Sequence, residues 1–375
     1  MRKILFQIHL WTGLLLGAVF VLLGLSGSLL VYDHEILAIG EKPAPQASAG
    51  PALPLGSLLM SARAAVPDRK LQATVQLPQD ASDAVTVRFQ KGGRGRPVTT
   101  VFVDPATARV LDVRTATPNS FFGFLRQFHG NLAMGREGRQ IVGWLGVGML
   151  ALGLSGIVLW WPKRGAWKYA FGVRKGRRGY WFHRDLHGAV GIWCWVVFII
   201  VSFSGVAIVF PETVRTLASV GTAPTGKVFD TRRGVEVTPG AGVKPLEADG
   251  ALALVKARYP NAVIRSIALP ARGTEALRVT MGRADGPVSI AFVDPYRKAI
   301  VAVRNPPGGV LDNIMAWQRP LHAGDGLGVI WRALVFLSGL LPAVFFVTGL
   351  VMWLKKRNTR RHFPTGVKDV SETGK

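Results

Sequence analysis

The 375-residue chain is 49% hydrophobic and only 18% charged, yet it carries 46 Lys plus Arg against 22 Asp plus Glu, a formal net charge of +24. A nucleic-acid-binding protein of that charge would hold many more charged residues, and a disordered basic chain would not be half apolar, so both classes are excluded. A membrane protein holds both features, with its apolar residues gathered into spans and its Lys and Arg into the loops between them.

In chain order, residues 1–9 form a short basic N-terminus, and the first apolar run covers 10–32. Further runs cover 140–161, 188–210 and 333–354, and none of the four contains Asp, Glu, Lys or Arg. Each has about 22 residues, roughly 33 Å as helix, enough to cross a bilayer. Four transmembrane helices are therefore expected. Ala47, Ser48 and Ala49 form a small-x-small site, but the first run is longer than a signal-peptide core and ends well before that site. An uncleaved signal anchor is the expectation.

The two long segments between spans, 33–139 and 211–332, read as α+β domains. In the first, the apolar period gives a helix at 55–65, with strands near 70–76, 84–90, 98–103 and 109–114 and a hairpin tip at 91–97. In the second, a helix is expected at 246–258 and strands near 262–269, 276–282, 287–293 and 299–304. Neither segment has a nucleophile motif, a paired-carboxylate spacing or a phosphate loop. No NAD or flavin site is expected, because no helix follows the "GGRGRP" turn.

Charge sets the expected orientation. Residues 1–9, 162–187 and 355–375 carry 17 basic against 3 acidic residues, net +14, on 56 residues. The two long segments carry 29 basic against 19 acidic, net +10, on 229 residues. By the positive-inside rule both termini and the basic loop 162–187 are cytoplasmic and the long segments face the other side. Much of the charge thus encodes topology, and the basic tract of Lys355, Lys356, Arg357, Arg360 and Arg361 reads as a lipid-headgroup anchor.

An internal repeat runs through the chain. His9 is followed at fixed distances by Gly13, Ser26 and Gly27, and His187 at the same distances by Gly191, Ser204 and Gly205. At a constant offset of 193, His129, Arg139, Ser155, Gly156, Trp160 and Arg164 correspond to His322, Arg332, Thr348, Gly349, Trp353 and Arg357. Both long segments also contain an "FVDP" corner, at 102–105 and 292–295. The expected architecture is two copies of span, outer domain, span, related by an approximate twofold axis along the membrane normal.

With one cysteine, Cys194, there is no internal disulfide and no cysteine cluster or Cys-type zinc site, so a bound metal must be held by histidine. Four of the seven histidines occupy equivalent repeat positions, and the axis sets His9 opposite His187 and His129 opposite His322. Facing imidazoles are what a bis-histidine haem requires. Gly13 and Gly191, one turn along from their histidines, leave room for a flat ring. The Ser-Gly and Thr-Gly pairs in the spans fit either close helix packing or a cofactor edge. Arg139 and Arg332 suit haem propionates, or the membrane interface. His34, beside Asp33 and Glu35, has no partner in the repeat and is either a further ligand or a residue facing the substrate. His183 and His362 read as bystanders.

The stretches "FQIHLWTGLLLGAVFVLLGLSGSLLVYDHE", "FLRQFHGNLAMGREGRQIVGWLGVGMLALGLSGIVLWWPKR", "RDLHGAVGIWCWVVFIIVSFSG" and "LHAGDGLGVIWRALVFLSGLLPAVFFVTGLVMWLKKR" resemble the four spans of the PepSY-associated transmembrane family, which includes iron-regulated inner-membrane proteins of Gram-negative bacteria. Single-chain members with two periplasmic PepSY-type domains are similar to siderophore-iron reductases carrying b-type haem. The resemblance implies two haems b, with the span histidines falling on His9, His129, His187 and His322, and a ferric siderophore as substrate. Some members add a flavodoxin or ferredoxin-reductase module that this chain lacks, so the donor is expected to be a quinol or a separate cytoplasmic reductase. Two other readings remain: a regulatory membrane protein whose outer domains bind peptides or peptidases, and an iron-complex permease. The permease lacks the intramembrane carboxylate that ion coupling needs.

Overall fold

The computed structural model describes residues 1–39, 42–68, 71–80, 82–91, 97–116, 121–219, 234–240, 242–270, 272–282, 288–304 and 310–362. The expected hairpin tip falls mostly outside them, at 92–96, as does the end of the C-terminal tail, 363–375. The elements are α1 (Arg2–Val31), α2 (Asp33–Ala38), α3 (Leu55–Ala64), β1 (Gln72–Gln76), β2 (Val85–Gln90), β3 (Val98–Val103), β4 (Val110–Ala116), α4 (Phe121–Asn131) and α5 (Gly135–Trp160). They continue with α6 (Gly179–Val209), α7 (Pro211–Ala218), α8 (Ala248–Arg258), β5 (Ile264–Ala268), β6 (Leu277–Met281), β7 (Ser289–Asp294), β8 (Ala299–Arg304), α9 (Val310–Ala323) and α10 (Gly328–His362).

Helices α1, α5, α6 and α10 are long and apolar enough to cross a membrane, and no more than a third of each apolar window is covered by protein. Apolar surface left bare on that scale requires a lipid solvent. Each helix also extends beyond the apolar run that announced it. A charged residue ends the run without ending the helix, since Lys and Arg are good helix formers; Arg184 and Asp185 thus lie inside α6.

Most of these four helices belong to one compact unit, residues 1–29, 144–203 and 334–375. Packing there depends on small residues. A Cβ added to Gly24 would stand 2.3 Å from the Gly339 carbonyl oxygen, and one added to Gly339 would stand 2.2 Å from Ser28 Oγ. The backbones of α1 and α10 therefore touch, and Ser28 Oγ donates to the Phe336 carbonyl at 2.7 Å. With lipid as solvent there is little hydrophobic gain in helix association, so such close approach and interhelical hydrogen bonds carry it.

The second unit, residues 30–143 and 204–333, is built on one eight-stranded antiparallel sheet of order β4-β3-β2-β1-β5-β6-β7-β8. Each half of the chain contributes a four-stranded meander, and the two join where β1 pairs with β5, Val75 opposite Ile267. Leu77 N donates to Arg265 O at 2.8 Å and Leu269 N to Ala73 O at 2.9 Å, continuing the pairing beyond the strands. Each meander alone has two edge strands, and the joint covers one edge of each, leaving β4 and β8 as the edges of the whole sheet.

Alternation along the strands sends one side chain in two into a common core. Val85, Val87 and Phe89 of β2 are buried while Arg88 between them is exposed. Leu58 and Ala62 of α3 and Ala251 and Val255 of α8 cover that buried face. Full burial of each large apolar side chain contributes about 1.5–3 kcal/mol.

The two covering helices are also linked directly. The Asp249 carboxylate of α8 accepts hydrogen bonds from Leu55 N and Gly56 N, at 2.9 and 3.0 Å, at the start of α3. This satisfies two amides that a helix N-terminus leaves unpaired. The two "FVDP" corners share a design. Asp104 Oδ1 accepts from Ala106 N, and Asp294 Oδ1 from Tyr296 N and Arg297 N. The Pro105 and Pro295 carbonyls accept from Leu53 N and Leu246 N, fixing the chain that leads into α3 and α8.

Two stability changes are expected. Gly339→Ala forces α1 and α10 apart and lowers the thermal unfolding midpoint by an amount equivalent to about 1–3 kcal/mol, as overpacking does. Asp249→Ala removes the cap on α3 and costs about 1–2 kcal/mol; denaturant unfolding of Asp249→Ala beside Asp249→Asn, which keeps an acceptor, measures it.

Candidate functional site: two histidine pairs

The chain brings its four repeat-matched histidines together as two pairs, one within each compact unit. In the first, His9 of α1 and His187 of α6 face each other with ring centroids 6.3 Å apart and planes inclined by 71°. His9 Nδ1 lies 2.8 Å from Ser155 Oγ on α5, and His187 Nδ1 lies 2.8 Å from Thr348 Oγ1 on α10. All four long helices thus contribute a polar group to this pair.

Glycines and aromatic rings shape its surroundings. A Cβ on Gly156 would reach ordinary contact with His9 Cε1, at 3.6 Å, while one on Gly13 would meet nothing within 4 Å. The Phe345 ring packs on His187 with centroids 5.0 Å apart. Trp160 seats its indole against Gly188, 3.3 Å from where a Cβ would stand, and donates Nε1–H to the Ala170 carbonyl at 3.0 Å.

The second pair is His129 of α4 and His322 of α9, with ring centroids 6.0 Å apart and planes inclined by 42°. Both lie on short amphipathic helices that precede the spans, which the sequence reading did not separate from the approach to α5 and α10. The breaks fall where the backbone turns left-handed, at Leu132, Ala133 and Gly135 in one half and at Gly324, Gly326 and Gly328 in the other. Ser204 Oγ is 3.2 Å from His322 Nδ1. A Cβ on the next residue, Gly205, would stand 2.9 Å from His322 Cε1. A Ser-Gly pair therefore acts as a seat: the hydroxyl meets the ring nitrogen and the glycine leaves room for the ring.

Ion pairs hold the helices that carry this pair. Asp33 of α2 pairs with Arg126 of α4, and Arg215 of α7 with Asp312 of α9 at 2.8 Å. The same element pairs are tied in both halves with the signs exchanged. His34, its side chain 89% exposed, lies 3.8 Å from Asp33 and is not brought into either histidine pair.

Arg139 and Arg332 bind helix ends. Arg139 donates to the Ile208 carbonyl at 2.7 Å, in the last turn of α6. Arg332 donates to the Val31 carbonyl at 2.7 Å, at the end of α1, and pairs with Glu35. A cation is favoured there because the last carbonyls of a helix lack partners and carry partial negative charge. The Arg332 guanidinium holds the Glu35 carboxyl below the usual carboxylate range, so this tie persists at neutral pH and is lost as the solution becomes acidic. His183 Nδ1 lies 2.8 Å from the Gly179 carbonyl in the first turn of α6, apart from both pairs.

The donor sets fit a metal whose remaining positions are filled by a macrocycle. Two imidazoles bonded at about 2.0 Å to opposite faces of one haem iron place their centroids about 6 Å apart, as both pairs do. Among the described residues no group of three His, Cys, Asp or Glu converges, which is the arrangement a zinc site uses. His9 with His187 would hold one haem, and His129 with His322 a second.

A family described as the PepSY-associated TM region matches residues 6–356, nearly the whole chain. No curated protein matches it.

Gly205→Ala is expected to push the His322 imidazole away from Ser204, while Gly156→Ala is tolerated beside His9. Histidine-selective 15N NMR of the two variants checks this: the His322 signal moves in the first, and the His9 signal stays in the second.

Proposed function

The chain belongs to the PepSY-associated transmembrane family, and from that premise we propose that it is a haem-carrying inner-membrane reductase that delivers electrons to ferric iron in siderophore complexes in the periplasm. The observation that carries the reading is the separation of the two imidazole pairs, 6.3 and 6.0 Å between centroids, supplied by four different helices. When bound, haem b supplies one-electron transfer at a potential set by its ligands and surroundings.

The chain's own residues would do the rest. His9, His187, His129 and His322 would hold the haem irons, and the spans would shield the first pair from water. With both termini and loop 162–187 inside by the positive-inside rule, His9 and His187 sit toward the cytoplasmic face and His129 and His322 toward the periplasmic face. The electron donor is a quinol or a separate cytoplasmic reductase. The two halves of the sheet, read as a pair of PepSY-type domains, face the periplasm, where their segments' net +10 attracts anionic chelates. The exposed His34 faces the substrate side. Ferric iron in a siderophore is bound by hard oxygen ligands, and the ferrous ion binds them less well, so one electron releases the metal.

Purified protein from haem-replete cells is expected to show a sharp Soret band and a reducible alpha band, with pyridine haemochrome giving two haems per chain. His9→Ala and His187→Ala each lose one and the same haem, and His129→Ala and His322→Ala the other. A colourless preparation overturns the reductase reading and leaves a regulatory or peptide-binding membrane protein. Uptake of an iron complex into proteoliposomes without added reductant would favour a permease.

A further inference from the structure

In the first histidine pair each hydroxyl has a carbonyl of its own helix in place to take its hydrogen. Thr348 Oγ1 donates to the Val344 carbonyl at 2.7 Å, with the Phe345 carbonyl at 3.2 Å, and Ser155 Oγ donates to the Leu152 carbonyl at 3.1 Å. These are the i−4 and i−3 carbonyls of their own helices, the usual local acceptors of a Ser or Thr in a helix. A hydroxyl has one hydrogen, so once it is given to the backbone the oxygen can only accept. The groups 2.8 Å away are His187 Nδ1 and His9 Nδ1. Each must therefore carry a proton and donate it.

We infer that Thr348 and Ser155 are positioning residues that lock His187 and His9 as the Nδ1–H tautomer, leaving Nε2 as the bare nitrogen that each ring presents to a metal. A neutral imidazole has one protonated and one bare nitrogen, and the partner of the first decides which is which. The lock also orients the ring, because Nδ1 is tied to a neighbouring helix. Ser204 stands 3.2 Å from His322 Nδ1, so the second pair carries the same contact. An acceptor on Nδ1–H makes the opposite nitrogen a stronger donor to iron.

The lock itself follows from the hydrogen bonds alone; its consequence for a haem rests on the proposed function, and the test separates the two. Thr348→Val replaces the hydroxyl by a methyl of nearly the same shape. In haem-free full-length protein in lipid nanodiscs, histidine 15N shifts, assigned with the His187→Ala and His9→Ala variants, are expected to report the Nδ1–H tautomer at both rings. Thr348→Val then moves His187 toward the Nε2–H tautomer, and Thr348→Ser restores it. In the haem-loaded protein Thr348→Val weakens binding at the first pair by about tenfold or more and raises that haem's reduction potential, while the second haem is unchanged. Ser155→Ala and Ser155→Thr repeat the comparison at His9 and decide the matter should Thr348→Val fail to fold. An unchanged tautomer, or an unchanged potential with haem bound, overturns the inference. Protein that binds no haem yet shows the tautomer shift upholds the lock and refutes the reductase reading.

Discussion

Within a bilayer an imidazole needs a partner for each polar nitrogen, because the hydrocarbon supplies none. In this protein that requirement is met between helices. His9 on α1 reaches Ser155 on α5, and His187 on α6 reaches Thr348 on α10. Close contacts within the same unit keep these four helices together. Gly24 and Gly339 bring α1 and α10 into backbone contact, and Gly153 admits Ile199 and Phe198 of α6 against α5. Larger residues at these positions would push α1 from α10 and α5 from α6, the same four helices that carry the rings and hydroxyls. Close packing and histidine placement are therefore one constraint.

The sheet meets the same need at the other histidine pair by other means. Helices α4 and α9 lie outside the spans, and ion pairs tie them to α2 and α7: Asp33 with Arg126, and Arg215 with Asp312. Both carboxylates are nearly buried, which raises the cost of breaking either pair. The β1–β5 joint and the Asp249 cap tie the two halves of the chain into one body. The chain segments carrying His129 and His322 thus follow the two meanders of a single sheet.

Much of this was legible in the sequence because its signals are local. Apolar runs gave the four spans, and alternation gave strands near 84–90 and 287–293, within one or two residues of β2 and β7. The joint between β1 and β5 was not legible, since an edge strand such as Gln72–Gln76 carries no mark of the partner it will take. Helices α4 and α9 were missed for another reason. Their apolar faces, Phe122 and Leu125 in one and Met315 in the other, are short and run almost directly into the spans, and only the left-handed turns separate them. The ion pairs escaped the repeat comparison because their signs are exchanged: matching residue to residue finds no likeness between Asp33 and Arg126 and the pair Arg215 and Asp312. The Ser-Gly and Thr-Gly pairs were found as positions, but which part matters is a question of distance: the hydroxyl reaches a ring nitrogen at Ser155, Ser204 and Thr348, and the glycine makes room for a ring at Gly205.

The choice of hydroxyl over carboxylate has a physical reason. Metal-bound histidines commonly donate their second N–H to a carboxylate, which makes them strong donors. At the first pair a carboxylate would place a charge among the apolar spans, where an unpaired charge is costly. Serine and threonine polarise the ring without a charge. They also bring their own solvation, since the hydroxyl hydrogen is absorbed by a carbonyl one turn back on the same helix. Nδ1 of each imidazole is thus satisfied by a chain of two hydrogen bonds that begins and ends inside the helix bundle. Ser155 and Thr348 meet the rings of the first pair in this way, in apolar runs that contain no Asp or Glu.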